Sequence, residues 1–315
     1  MEYTAVIRTL GKAGDKYQQL LDSLIHQTCP PKEILVYIAE GYSLPKETVG
    51  VEKYIYVKKG MMAQRALPYT EVTTDFMLFL DDDLSLAEDT VECLYTLLSK
   101  NKADVISPDI FPNSQRKILP ELLMTVSGRM RARRGDKYWG YKVMRSAGYS
   151  YNKRPLADTL ESQTNAGACF LCRKAQFLSI HLEDETWIDS VAYAIGDDQL
   201  IFYKMYRFGL KILTWYNHRV QHLDAGQNLS PDKERTLIYG DFRFKTIFWY
   251  RFIYKPDKSM LGRLLSMLAI GYAFAFGLAI SLLKFQFNIF QIKRRAIQDG
   301  IKFIKSNEYK KLPAI

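Results

Sequence analysis

Short apolar runs rich in β-branched and aromatic residues alternate, over the first third of the chain, with longer segments whose apolar positions recur every three to four residues. The runs predict strands at Thr4–Thr9, Ile34–Ala39, Tyr54–Val57, Phe76–Leu80 and Val105–Ser107, with helices between them. One helix, about Lys16–Gln27, gathers Tyr17, Leu20, Leu21, Leu24 and Ile25 on a stripe and stops before Pro30 and Pro31, which cannot continue it. Another sets Val91, Leu94, Leu97 and Leu98 on one face behind Asp89, an acid where the helix dipole favours one. This alternation predicts an α/β domain with a largely parallel sheet.

Two stretches break the pattern. Residues 113–162 interleave Arg129, Arg131, Arg133, Arg134, Lys137, Lys142, Arg145, Lys153 and Arg154 with Tyr138, Trp139, Tyr141, Tyr149 and Tyr151. They read either as solvated surface or as a flap whose rings and guanidinium groups meet a sugar-bearing or anionic ligand. Residues 264–283 form an uncharged apolar run between Arg263 and Lys284, long enough to cross a bilayer core. Aromatics crowd both flanks, Phe248 to Tyr254 before it and Phe285, Phe287 and Phe290 after it, as at a lipid interface. The other reading is a buried core helix.

Composition is that of an ordinary globular protein, with 48% apolar and 25% charged residues over 315 positions. Four cysteines do not make a disulfide scaffold and suit a reducing compartment. The net charge of +10 is unevenly placed: residues 1–241 sum to −1 and residues 242–315 to +11. An excess confined to the apolar, aromatic end fits an anionic membrane surface and speaks against nucleic acid as the partner. Met1-Glu2-Tyr3 lacks the basic start of a secretory signal, and the lysines and arginines after Lys284 favour a cytosolic C-terminus. Both ends on one side suggest a re-entrant hairpin bent near Gly271 or Gly277, or a helix lying in the interface, at the cytoplasmic face.

Candidate chemistry begins with Asp81, Asp82 and Asp83, directly after the apolar strand Phe76–Leu80. Ligands of open α/β sheets bind at the carboxyl ends of strands, and three crowded carboxylates resist ionising unless a cation lies among them. Oxygen donors select Mg²⁺ or Mn²⁺; the bland alternative is an acidic cap on the helix near Glu88. Gly196-Asp197-Asp198 heads a helix over Gln199–Phe208 closed by Gly209. One of its acids reads as an N-cap, the other as a general base for an incoming hydroxyl. His222, within Val220–Gly226, is either a further metal ligand or an ordinary surface or core histidine; His26 and His181 read as structural. Cys169 and Cys172 face opposite ways on a strand and read as buried structural residues.

Taken in order, these segments resemble a family 2 glycosyltransferase with the GT-A fold. The residues that carry the likeness are Ala5–Thr9, Leu21–Thr28, Pro31–Ile34, Phe79–Asp83 (the DxD position), Asn165–Arg173 and Gly196–Asp198. The similarity runs over residues 3 to 226 and implies a nucleotide-diphospho-sugar transferase fold, a Rossmann-like mixed sheet, as a catalytic domain over 1–240. Residues 241–315 would then be a membrane-associating region. It further implies that Asp81 and Asp83 hold a Mn²⁺ or Mg²⁺ ion and the donor diphosphate, with His222 as a further ligand and Asp82 near the ribose. Thr9 and Glu40 would contact the nucleoside, Gly60 to Arg65 would lie along the donor, and Asp198 would be the base. A UDP-sugar is the expected donor and a glycan or lipid-linked hydroxyl the expected acceptor. The second strand ends Ile38-Ala39-Glu40-Gly41 where the family has an aspartate pair, which leaves the nucleotide contact open.

The implied reaction is an inverting, metal-dependent single displacement. Two rivals share parts of the pattern. Asp81-Asp82-Asp83-Leu84-Ser85-Leu86 also fits the nucleophile motif of haloacid-dehalogenase-like phosphatases, although that family carries it on its first strand. A non-catalytic membrane scaffold would keep the fold without needing the acids.

Overall fold

The computed structural model describes residues 1–110, 117–216, 219–223 and 230–315. In chain order the first part runs β1 (Tyr3–Thr9), α1 (Asp15–Ile25), β2 (Glu33–Ala39), β3 (Glu52–Val57), β4 (Phe76–Asp81), β5 (Leu84–Leu86), α2 (Thr90–Lys100) and β6 (Val105–Pro108). Then come α3 (Ile118–Val126), β7 (Met130–Arg133), β8 (Tyr141–Val143), β9 (Tyr149–Asn152), β10 (Thr159–Glu161), β11 (Cys169–Arg173), α4 (Lys174–Leu178), α5 (Asp197–Arg207), β12 (Ile212–Trp215) and β13 (Val220–His222). The chain closes with α6 (Pro231–Phe248), α7 (Met260–Leu283), α8 (Phe287–Lys305) and α9 (Asn307–Lys310). The five strands expected over the first third and the helices α1 and α2 are present, with ends displaced by a residue or two; between β2 and β3 and between β3 and β4 the chain runs in turns and coil where helices were expected.

An eight-stranded sheet in the order β10-β12-β6-β11-β4-β1-β2-β3 divides the domain. β1 pairs in parallel with β2 and β4, β2 with β3, and β6 with β12, whereas β11 and β10 run against their neighbours. The sheet is therefore mixed. Its strands read as unbroken apolar runs because both faces are covered: Leu35, Met77, Phe79 and Phe170 enter one core, and Ile7, Leu78, Leu80 and Leu171 the other. Cys172 faces the first core and Cys169 the second, as alternation on a strand requires. Burial pushes both thiols up, away from reactivity.

The described part of the 113–162 stretch is folded; its first residues, 113–116, lie outside the described residues. β7, β9 and β8 form a small sheet of their own, while β10 joins the main sheet. Much of its basic charge is paired: Arg133 meets Asp136, and both Lys153 and Arg134 meet Glu121. Tyr141 and Tyr151 are buried.

α7 is continuous through Gly271 and Gly277, so the hairpin bend expected there is not present. At 24 residues it is the one helix among the described residues long and apolar enough to cross a membrane, and only 17% of its most apolar window is buried. It is not a core helix. One flank lies along the domain: Ile270 joins the core, Phe274 packs on Phe242, and Lys293 Nζ donates to the Gly277 carbonyl (2.7 Å) and Ser281 Oγ (2.8 Å). The other flank exposes Leu264, Leu268 and Leu283, with Tyr272 on the same side reaching the Val126 carbonyl of α3 through its hydroxyl (2.7 Å); Ile118, Leu119 and Leu122 of α3 are exposed as well.

Candidate active site

The carboxyl ends of β1, β2, β4 and β6 share one edge of the sheet, and the polar residues gather there. Arg8 and Asp81 are register partners on β1 and β4. Arg8 grips both oxygens of Asp81, with Nε to Oδ1 at 2.6 Å and Nη2 to Oδ2 at 3.1 Å. Arg65 is buried and reaches the same cluster from the turn that begins at Gly60. Its Nη2 donates to Asp81 Oδ1 (3.3 Å) and the Gly167 carbonyl (2.7 Å), and its Nη1 to Asp197 Oδ2 (3.3 Å) and Asp198 Oδ1 (3.0 Å). Arg8 Nη1 lies 3.4 Å from Asp197 Oδ2. Two guanidinium groups thus serve three carboxylates.

Local structure explains the placement. The Asp189 carboxylate accepts from the amides of Met62 (2.9 Å) and Ala63 (2.8 Å), fixing the turn that presents Arg65. Asp197 and Asp198 open α5 after Gly196, whose φ of +95° suits glycine and whose Cβ would collide with the Phe244 ring. Neither aspartate caps the helix with its side chain; both turn to the arginines, and the helix dipole supports their charge. Burial works to raise Asp81, but Arg8 and Arg65 outweigh it and hold its carboxyl below the ordinary range. Asp197 goes the other way: burial, with Asp198 alongside, pushes it up to about 6 against the pull of Arg65 and Arg8.

The remaining aspartates have other partners. Asp82 accepts from the Thr9 hydroxyl, which in turn accepts from the Gly11 amide (2.8 Å). Burial, with Asp81 and Asp83 as neighbours, lifts Asp82 to about 6 despite the Thr9 bond. Asp83 faces His222, Oδ2 to Nε2 at 3.5 Å, because antiparallel pairing of β13 with β5 sets His222 opposite Leu84. Burial raises Asp83, and His222 opposes the rise. The acids do not cap α2, since β5 intervenes. Glu40 sits just past β2, exposed and outside these contacts. His26 ends α1 with Nδ1 against the Asp22 carbonyl, and His181 pairs with Glu183 at the surface. His218 and residues 224–226 lie outside the described residues.

Among the described residues no group of three or more His, Cys, Asp or Glu forms a ready metal cage. The carboxylate and imidazole that stand together here are Asp83 and His222, 3.5 Å apart, while both oxygens of Asp81 are engaged by Arg8. One carboxylate and one imidazole suit an ion that keeps positions for water and substrate phosphates, as Mg²⁺ and Mn²⁺ do. The two residues fit such an ion as a partial donor set.

Asp197 and Asp198 also line a 530 Å³ cavity walled by Asp109, Tyr141, Tyr149, Tyr193 and Asn165, with Arg129, Asp241 and Lys245 further along its wall. Asp198 is 37% exposed and its second oxygen has no bond to Arg65. Tyr141 donates to Asp109 (2.6 Å), and Asn165 Nδ2 donates to the Ser107 carbonyl (3.2 Å) and Thr214 Oγ1 (3.1 Å). Sequence reasoning missed Arg8, Asp189 and Asp109, and named Tyr141 only as one ring of the basic, aromatic stretch. The signal for Arg8 was present, a cation inside an apolar strand that ends at the ligand-binding edge.

No protein-family model and no curated protein matches the chain. Among solved structures it is similar to GalNAc-T7, crystallised with UDP, GalNAc and Mn²⁺, at 15% identity and a TM-score of 0.51, covering 90% of this chain and 57% of that one. It also matches TarS of S. aureus at 14% identity and a TM-score of 0.47, covering 86% of this chain and 43% of that one. The chain thus spans about half the length of the structures it matches. Likeness at this identity concerns the fold: the chain has a mixed α/β, GT-A-like fold, with one C-terminal apolar helix among the described residues long enough to associate with a membrane.

Proposed function

We propose that the chain is an inverting, family 2-type glycosyltransferase that moves a sugar from a nucleotide donor to an acceptor hydroxyl at the cytoplasmic face of a membrane. The observation that carries the reading is the half-open carboxylate of Asp198 on the wall of a 530 Å³ cavity, joined through Arg65 and Asp81 to the Asp83–His222 pair. Asp83 and His222 are the residues to hold Mn²⁺ or Mg²⁺, which when bound supplies positive charge for the departing diphosphate. Asp82 and Thr9 are assigned to the nucleoside, with Glu40 at the rim. Arg8 and Arg65 hold the Asp81 carboxyl below its ordinary range in a buried setting, and Arg65 fixes the direction of Asp198.

In the transfer the acceptor oxygen bonds to the anomeric carbon, the bond from that carbon to the donor phosphate oxygen breaks, and its electron pair leaves with the nucleoside diphosphate. Asp198 takes the acceptor proton. Positioning of the two reactants and removal of that proton are what the protein side chains contribute.

The catalytic region is assigned to 1–240 and membrane attachment to 241–315. α7 is best accommodated in the plane of the interface. A crossing helix is surrounded by hydrocarbon or membrane-embedded protein, whereas α7 lies against the folded domain through Ile270, Phe274 and Gly277 and leaves Leu264, Leu268 and Leu283 bare on the other side. An in-plane helix also leaves both chain ends on one side.

The test is thermal unfolding of the full chain with a panel of nucleotide sugars, with and without Mn²⁺. A donor at 100 times its Kd stabilises by about 2.7 kcal/mol, and Asp83→Asn removes the Mn²⁺-dependent part. The reading fails if no nucleotide sugar shifts the transition, or if Asp83→Asn shifts as much as the native chain. The phosphatase alternative needs Asp81 as a free nucleophile, and Arg8 occupies both of its oxygens.

A further inference from the structure

A second cavity, 340 Å³, lies between α3 and α7 and has no assigned use. Its walls are apolar, with Leu123 and Met124 on one side and Phe274 and Ile280 on the other. At its polar end stand Arg129, Lys245, Lys284 and Lys293, and among the described residues no carboxylate lines it. The nearby Asp241 is paired to Arg129 (3.2 Å) and Lys245 (2.8 Å), which leaves one acid against four cations. Lys293 spends two donors on neutral oxygens, the Gly277 carbonyl and Ser281 Oγ. Burial, with Arg129 and then Lys284 as like-charged neighbours, lowers the Lys293 pKa although Asp241 opposes it. Such a cluster stores repulsion that an anion relieves.

The groove is continuous with the two features that flank it. Arg129 and Lys245 line both this groove and the cavity that holds Asp198. On its outer wall Leu123 is exposed, next to the exposed Leu119 and Leu122 of α3. A ligand that satisfies all three parts has a hydrocarbon chain, an anionic junction and a polar group reaching the catalytic cavity.

We propose that this groove seats the lipid phosphate of the acceptor: the hydrocarbon chain lies between α3 and α7, the phosphate or diphosphate meets Arg129, Lys245, Lys284 and Lys293, and the carried hydroxyl enters the cavity beside Asp198. The acceptor role rests on the transfer reading above; the binding site does not.

The test uses the full chain in zwitterionic nanodiscs, titrated with farnesyl phosphate, farnesol and inorganic phosphate, and in parallel with phosphatidylglycerol vesicles. Two variants keep the fold within reach because the altered side chains are exposed: the double variant Arg129→Gln with Lys284→Gln, and Leu123→Trp, which fills the groove. Farnesyl phosphate is expected to bind at least tenfold more tightly than either farnesol or inorganic phosphate, and each variant to weaken it at least tenfold at an unchanged melting temperature. Vesicle binding is expected to hold in Leu123→Trp. Inorganic phosphate binding as well as farnesyl phosphate, with no effect of Leu123→Trp, reduces the site to an anion patch and overturns the proposal. A parallel loss of vesicle binding in both variants overturns it in favour of bulk anionic lipid. Asp83→Asn separates the two readings, since it is expected to lose Mn²⁺-dependent UDP binding and keep farnesyl phosphate. Lipid binding without any nucleotide binding in the native chain overturns the acceptor role while the lipid site stands; nucleotide binding without lipid binding overturns the site alone.

Discussion

Replacing Arg65 with methionine tests whether the arginine network holds the site together. The change keeps much of the side-chain length and removes the guanidinium. Four hydrogen bonds go, three of them to Asp81, Asp197 and Asp198 and one to the Gly167 carbonyl. Arg8 is then the one guanidinium left in this cluster to face three carboxylates, and it reaches Asp197 only at 3.4 Å. Removing one partner from a buried ionic cluster costs about 3–5 kcal/mol, because the charges left behind are uncompensated. One relief exists. Asp197 already sits at about 6, and loss of Arg65 raises it further. A carboxyl whose folded pKa lies above its unfolded value binds a proton in the folded state that the unfolded chain releases, so its presence destabilises at high pH and that penalty fades as pH falls through the folded pKa. Urea unfolding followed by tryptophan fluorescence should therefore show the variant about 3–5 kcal/mol less stable than the native chain at pH 8, with a smaller gap at pH 5.5. A gap below about 1 kcal/mol at pH 8, or one of equal size at both pH values, would refute the view of Arg65 as counter-ion to this cluster.

Asp198→Asn keeps the shape and one acceptor for Arg65 but cannot take a proton, so nucleoside diphosphate release in the presence of acceptor should fall about 10²–10⁴-fold; a smaller loss than that of Asp197→Asn would move the base to Asp197. Leu264→Glu with Leu268→Glu places charge on the bare flank of α7. Each leucine lost from lipid is worth about 1.5–3 kcal/mol, so sedimentation with anionic vesicles should weaken at least about 100-fold, and undiminished binding would exclude this flank as the attachment surface. Glu185 is fully buried, accepting from Arg251 (2.7 Å), Lys204 (2.9 Å) and the Trp187 indole (2.7 Å). Burial raises it, but Arg251 and Lys204 prevail and hold it below its ordinary 4.5, so its contribution is present above that value and is lost as pH falls through the depressed one. Glu185→Gln should cost about 3–5 kcal/mol at pH 7 and flatten the acid limb of the stability curve; an acid limb identical to the native one would remove Glu185 from it.

The α/β framework was legible because its signals are local. Strands covered on both faces read as apolar runs, and α1 declares itself by five apolar residues on one stripe and a proline stop. Less legible was the reversal of β11. Nothing in Cys169–Arg173 encodes direction, which is set by the loop that carries Gly167 past Arg65 to the sheet edge. The apolar run at 264–283 announced a helix and its length, but not that Phe274 and Lys293 would bind one flank to the domain.

The acid trio shows most clearly where reading residues in a row stops. Three adjacent aspartates suggest one shared cation, since that is the simplest way to keep three charges together. Yet each leaves β4 in a different direction, and the partners waiting there come from three other segments: Arg8 of β1 and Arg65 for Asp81, Thr9 of β1 for Asp82, His222 for Asp83. Counter-ions distant in sequence thus relieve the crowding at Asp81, and a hydroxyl partly relieves it at Asp82. At the Asp83 end a carboxylate and an imidazole stand 3.5 Å apart. Arg65 ties Asp81 to Asp197 and Asp198, and Arg8 ties Asp81 to Asp197, so the strand end and the head of α5 share one charge network, and a substitution at either arginine should disturb both together.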